Sequence, residues 1–192
     1  MNARSNVKVL VVYGTRYGAT KGTSEEIGKV LQEANFEVKI LNAKEEKIKD
    51  ITEYGLVVVG SGMAMGNWAS EAEDFVKRFH KDLENKKLAI FISSLKPVEE
   101  QEGKTALVAR IQKIGLDDKI LKYQLKPIST GVFGGIIDYN KMNFIIKKSM
   151  EIGYKAALQK HAFKEVASGV YDLRDWTEIH NWALEIAKKA QE

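Results

Sequence analysis

Thr15, Arg16, Tyr17, Gly18, Ala19 and Thr20 follow directly on an apolar run that ends at Tyr13-Gly14. Two threonine hydroxyls, a glycine and an arginine, set between a strand and the start of a helix, read either as an anion site or as an ordinary strand–loop–helix turn. The first N–H groups of a helix have no partner within it, and its N-terminus carries partial positive charge, so a phosphate suits the place. The spacing matches neither G-x-G-x-x-G nor G-x-x-x-x-G-K-[ST], which argues against a dinucleotide fingerprint or a nucleoside-triphosphate loop. A second stretch, Ser61-Gly62-Met63-Ala64-Met65-Gly66-Asn67-Trp68, follows another apolar run. Gly60 and Gly62 let the backbone approach a ligand there. Trp68 offers a flat apolar face with a polar edge, fit either to stack on a ring or to pack against the next helix. Arg16 is equally suited to pairing with a phosphate and to solvent. Met63 and Met65 read as adaptable packing.

Other chemistries find little support. His80, His161 and His180 have no ligand spacing and read as surface or helix-face residues. No Ser–His–Asp set or carboxylate pair stands out, and Asp172 and Asp175 read as helix-start residues. The chain has no cysteine, which excludes disulfides, thiolate metal sites and thiol redox chemistry. Any redox function must rest on a bound cofactor. With 192 residues, 44% hydrophobic and 29% charged, it is long enough for one globular domain with a sizeable core. No apolar run reaches the roughly 20 residues that span a bilayer. Polar Asn2 to Asn6 are unlike a signal peptide, so the expected location is cytoplasmic. A net charge of +4 favours anionic partners, while no basic run with interleaved aromatics points to nucleic acid.

The positioning elements alternate strand and helix. Lys8 to Tyr13 reads as a strand, Thr20 to Ala34 as a helix, and Phe36, Val38 and Ile40 as a second strand. Leu56 to Val59 is a third strand, and its unbroken apolar run suits cover on both faces. A helix marked by Ala72, Phe75, Val76, Phe79 and Leu83 follows, then a strand Leu88 to Ile92 and a helix Thr105 to Ile114. Ile128 to Phe133 is the fifth strand. Asp172 is placed to cap a last helix whose apolar face carries Trp176, Ile179, Ala183, Ile186 and Ala190, with Trp182 beside it. Trp176 and Trp182 read as core. The expected fold is α/β, a doubly wound five-stranded parallel sheet in the order 2-1-3-4-5 with helices on both faces. A segment of about 134–171 exceeds an ordinary strand–helix connection and reads as an insertion near strand 5.

Thr15-x-x-Gly18-x-Thr20 resembles the loop with which flavodoxins hold the phosphate of FMN. The whole chain resembles the flavodoxin-type, menaquinone-dependent protoporphyrinogen oxidases of bacteria and their archaeal relatives. The residues that carry this are Gly14 to Thr20, Val59 to Trp68, Phe75-Val76-Lys77-Arg78, Gly135-Ile136-Ile137-Asp138-Tyr139-Asn140-Lys141-Met142, Tyr171 to Trp176, and Trp182-Ala183. The resemblance implies a single flavodoxin-like FMN-binding domain over 1–192. It implies that Thr15 to Thr20 hold the phosphate and that Ser61 to Trp68 lie by the flavin ring. Ser94, Leu95 and Lys96 fall where flavodoxins place a third flavin loop. Ala64-Met65 and Gly134 to Ile137 depart from the family, whose best-studied members carry more basic and aromatic residues there.

The function so implied is an FMN-dependent oxidoreductase passing electrons from an organic donor to a quinone-like acceptor. The alternative is a flavodoxin-type electron carrier between protein partners. Met142, Ile145, Ile146 and Met150, with Lys141, Lys147 and Lys148 nearby, form an amphipathic pattern. Residues 139–150 are therefore a candidate for peripheral contact with the inner face of a membrane near a quinone pool, or for cover of the sheet.

Overall fold

The continuous apolar run of the first strand leads into a computed structural model that describes residues 7–192; the polar stretch Asn2 to Asn6 lies outside them. In chain order the elements are β1 (Lys8–Gly14), α1 (Ala19–Glu33), β2 (Glu37–Asn42), β3 (Leu56–Ala64), the short β4 (Asn67–Trp68) and α2 (Ser70–Leu83). Then come β5 (Lys87–Ser94), α3 (Lys96–Gln101), α4 (Thr105–Gln112), a π-helical turn Lys113–Asp117, α5 (Asp118–Lys122) and β6 (Ser129–Gly134). The insertion supplies β7 (Ile136–Asp138), a 3-10 turn Tyr139–Lys141, α6 (Phe144–Lys160), β8 (Lys164–Ala167) and β9 (Val170–Asp172), and α7 (Trp176–Gln191) follows.

The main sheet runs β2-β1-β3-β5-β6 with every neighbouring pair parallel. This is the order 2-1-3-4-5 read from the sequence, renumbered because β4 is a small antiparallel addition to β3. Strand side chains alternate between two cores, as the period of two requires. Leu10, Val12, Val57, Val59, Ile90 and Ile92 face α2, where Phe75, Val76 and Phe79 meet them. Val9, Val11, Val58, Ala89, Phe91 and Phe133 face α1 and α7. On that side Phe133 and Trp182 meet edge-on at 5.4 Å, and the indole N–H donates to the Thr130 carbonyl at 3.2 Å. A third cluster joins Val98 of α3 to Ile137, Tyr139, Leu158, Tyr171 and Leu173, so the insertion has a small core of its own.

Three expectations change. Asp175, not Asp172, caps α7, its carboxylate accepting from the N–H groups of Thr177 and Glu178. Asp172 instead pairs with Arg174 at 2.7 Å. Trp176 is exposed, because as the first residue of α7 it precedes the buried stripe, and Arg174 stacks on its ring at 4.3 Å. The insertion is more than a helix: β7-β9-β8 form a separate antiparallel sheet, with Ile137 opposite Tyr171.

Candidate functional site

Register alone brings the site together. Gly14 lies opposite Ser61, Gly62 opposite Ser93, and Ser94 opposite Gly134. The carboxyl ends of β1, β3, β5 and β6 therefore stand in a row, with the reversal of strand order between β1 and β3, where open α/β sheets bind ligands. A cavity of about 210 Å³ opens there.

Its first wall is the β1–α1 loop. Gly18 adopts φ +93°, a conformation glycine tolerates best, and its N–H donates to Thr15 Oγ1 at 3.0 Å. α6 and α7 are capped by Asn143 and Asp175, but α1 has no side-chain cap and no acidic residue in its first turn. Its positive end therefore meets no side-chain carboxylate or hydroxyl cap of its own. Thr20 Oγ1 is fully buried and, among the described residues, has no hydrogen-bond partner. Gly62 passes so close that a Cβ there would sit 3.2 Å from that hydroxyl and 3.6 Å from the Arg16 backbone nitrogen. An uncapped helix end and an orphaned hydroxyl at the same loop fit a phosphate monoester.

The second stretch differs from the loop expected. β3 continues through Ser61 to Ala64 and turns back as a hairpin, Met63 opposite Trp68 and Ala64 opposite Asn67. Met65 and Gly66 form the turn with φ +51° and +80°, the left-handed pair that two-residue hairpins use. Gly62, Met63, Ala64 and Met65 line the cavity. Gly66 and Asn67 do not, being used by the turn, where the Asn67 amide donates to the Met65 carbonyl at 3.2 Å. Ser61 does not either: its hydroxyl donates to the Gly62 carbonyl and accepts from Ala69 N–H, fixing the start of α2. The Trp68 ring is buried in the α2-side core, 2% exposed, with its N–H donating to the Gly115 carbonyl at 2.7 Å. Of the two readings of Trp68, packing is the one observed. Gly60 makes room for the Phe91 ring, so its role is also packing.

The third stretch contributes Ser93, Ser94 and Leu95. The Ser93 hydroxyl is buried and unpartnered, whereas Ser94 donates to the Phe133 carbonyl and accepts from Lys96 N–H. Lys96 opens α3 and points away from the cavity, toward the Val132 carbonyl, Glu100 and Glu178. From the first stretch Thr15, Arg16, Tyr17, Ala19 and Thr20 line the cavity, and Gly18 stands behind them as the helix cap. Arg16 also donates to the Trp68 carbonyl at 3.3 Å.

Sequence reasoning missed the opposite wall. Gly135, Ile136, Ile137, Met142, Ile146 and Met150 of the insertion face the cavity. The helical spacing of Met142, Ile146 and Met150 was the available signal. The same helix points Phe144 and Ile145 outward, 78% and 79% exposed. α6 is held at its far end by carboxylates of α3. Tyr154 donates to the buried Glu99 at 2.6 Å, and Lys104 pairs with the same group at 3.1 Å. Glu102 meets Lys160 and His161, whose hydrogen bonds bring its carboxyl down to about 2. Where β7 enters the 3-10 turn, burial opposes the charge of Asp138, but Lys141 and the Asn140 N–H hold its carboxyl below the usual range. Among the described residues Arg16 is the only charged one lining the cavity, and the wall from the insertion is apolar.

A flavodoxin domain family model matches residues 10–162. The protoporphyrinogen IX dehydrogenase (quinone) of Escherichia coli strain K12 is 26% identical over 188 residues, covering 94% of this chain and 95% of that protein. A flavodoxin from the domain Archaea aligns with a TM-score of 0.53 at 15% identity, covering 97% of this chain and 100% of that one. The flavodoxin of Streptococcus pneumoniae TIGR4 aligns at 0.52 and 12% identity, over 95% of this chain and 99% of that one. At such identities these two structures speak for the fold.

Proposed function

The chain belongs to the flavodoxin domain family, whose cofactor is FMN, and from that premise we propose that it takes electrons from an organic donor and passes them to a quinone-like acceptor. Bound FMN supplies the acceptance and release of electrons that no side chain of a cysteine-free chain offers. Thr15, Thr20 and the uncapped end of α1 would hold its phosphate. Gly62 to Met65 and Ser93 to Leu95 would flank the rest, with the Ser93 hydroxyl free to bond a polar edge. We read all 192 residues as one FMN-binding domain.

The observation that carries the acceptor is the apolar wall of Ile136, Ile137, Met142, Ile146 and Met150 across the cavity. It excludes water and offers a quinone ring a surface to bury. The similarity to a quinone-dependent dehydrogenase supports the same reading. No helix among the described residues is long and apolar enough to cross a membrane. We assign Phe144, Ile145, Lys147 and Lys148 to peripheral contact with the inner, anionic face of a membrane, from the cytoplasmic side.

The test uses FMN-loaded protein reduced without oxygen and mixed with menadione, following the return of oxidised-flavin absorbance. The wild type reoxidises with saturable dependence on menadione. Ile146→Ser keeps its FMN and reoxidises about tenfold more slowly at subsaturating quinone, for roughly 1.5 kcal/mol of lost apolar contact. An unchanged rate in that variant removes the insertion from the acceptor site. FMN-loaded protein that menadione cannot oxidise would leave the carrier reading in its place.

A further inference from the structure

A second hollow among the described residues is larger than the one at the strand ends. A groove of about 750 Å³ lies between α2 and the connection from β2 to β3, and it shares only Thr15, Arg16 and Tyr17 with the strand-end cavity. Its origin is topological. Parallel strands are usually joined by a helix that covers the sheet. Here residues 43–55 cross from β2 to β3 without one, and the flank of α2 is left beside an open channel.

The lining has two characters. Its base is apolar: Leu41, Phe75 and Phe79 are buried, and Ile48 packs against them. Its rim is charged, with cations in excess: Arg16, Lys44, Lys47 and Arg78 border it, and among the described residues none has a carboxylate within 4.0 Å. Glu46, which also borders the groove, is taken up by Lys39. Glu71 and Asp74 of α2 also border the groove, and among the described residues neither has a cation within 4.0 Å, so the four free cations outnumber two free carboxylates. The Arg78 guanidinium carbon lies 4.9 Å from the Phe79 ring centroid, a cation–π contact that keeps the guanidinium beside the apolar base.

We propose that this groove is a second ligand site, for a small organic anion with a flat apolar body, such as an aromatic carboxylate. The apolar body buries against Leu41, Ile48 and Phe79, and the anionic group meets Arg78 and the neighbouring lysines. The volume falls in the range of small-molecule sites, about 300–1,000 Å³. Arg78 suits a carboxylate better than lysines alone, because its guanidinium presents a fork matching the two oxygens. The site adjoins the flavin reading through Thr15, Arg16 and Tyr17, which border both hollows, and is distinguished from it by Arg78, Lys44, Lys47, Leu41, Ile48 and Phe79, which border the groove alone.

The test is isothermal titration of 8-anilinonaphthalene-1-sulfonate into the protein, with and without FMN. Its neutral analogue N-phenyl-1-naphthylamine and inorganic phosphate run alongside. One sulfonate is expected to bind per chain in both forms of the protein, without displacing FMN. The double variant Arg78→Gln, Lys47→Gln should weaken it by about tenfold or more while shifting the neutral analogue by less than about twofold. Phosphate alone should bind far more weakly than the sulfonate, lacking the apolar body. The proposal is overturned if the double variant binds the sulfonate as the wild type does, if the probe binds only by expelling FMN, or if phosphate alone binds equally well. Failure of FMN to bind, with the charge-dependent sulfonate site intact, would count against the flavin reading and leave this one standing.

Discussion

Thr20→Val separates the two roles a buried hydroxyl can have. Thr20 Oγ1 is fully buried and has no hydrogen-bond partner among the described residues. In the FMN-free protein that group carries an uncompensated desolvation penalty of about 1–3 kcal/mol. Valine has nearly the same shape, so the substitution opens no void, and the FMN-free variant should gain stability, by about 1 kcal/mol. With FMN the sign reverses. A hydroxyl donating to a phosphate oxygen contributes about 1.5–3 kcal/mol, so its loss should raise the FMN dissociation constant about 10- to 150-fold. Urea unfolding of the FMN-free protein measures the first effect, and quenching of FMN fluorescence on titration measures the second. A variant that loses stability without FMN and binds FMN at wild-type affinity would refute the reasoning. The hydroxyl would then be bonded within the protein and irrelevant to the phosphate.

Two further substitutions test the surroundings. Burial acts against the charge of Glu73, but hydrogen bonds from Lys119 at 2.7 Å, Tyr123 at 2.8 Å and Lys122 at 3.0 Å bring its carboxyl to about 2, below the ordinary 4.5. A lowered folded-state value means the contribution is complete above about pH 4.5 and is lost as pH falls toward about 2. Glu73→Gln should therefore lower the urea midpoint at pH 7, and its gap to the wild type should close over that interval. A gap independent of pH would show that charge is not what Glu73 contributes. Trp68→Phe removes the donor to the Gly115 carbonyl and should cost about 1–3 kcal/mol of stability, with FMN affinity within about twofold of wild type. A large loss of FMN affinity in a folded variant would return the indole to the cofactor site.

The parts legible in the sequence are those whose physics is local or one-dimensional. β1, β3 and β5 are covered on both faces, so Leu10 to Val12, Leu56 to Val59 and Leu88 to Ile92 stand out as continuous apolar runs. The β1–α1 loop is legible as a strand–loop–helix turn and as a candidate anion site because both need only neighbours in sequence. The extension of β3 was hidden, since Ser61, Gly62, Met63 and Ala64 carry no strand pattern: Ser61 and Gly62 are strand residues through pairing with β1 and β5, and Met63 and Ala64 through pairing with Trp68 and Asn67. α3 was hidden for a different reason. Pro97 reads as a loop residue, yet it sits in the first turn of α3, where a missing N–H costs nothing. The small sheet of the insertion depends on Ile137 finding Tyr171, a contact far apart in sequence that no local pattern encodes. Asp172 and Asp175 are equally good caps by residue type, and only the end of β9 at Asp172 decides between them.

The insertion shows why its role must be probed by point changes rather than by excision. One half of α6 is structural: Ala157 and Leu158 are buried, Tyr154 is bonded to Glu99, and Lys160 and His161 to Glu102. Tyr139 and Ile137 belong to the same core, and burial pushes the Tyr139 hydroxyl up to about 12. Removing 139–150 would withdraw Tyr139 from that core along with the cavity wall, and loss of fold and loss of acceptor access would be confounded. The other half is different. Ile146 and Met150 face the cavity, while Phe144 and Ile145 are solvated and hold nothing in place. A polar residue at 146 thus alters the surface a quinone meets, while the α3 clamps and the third core keep the helix where it is.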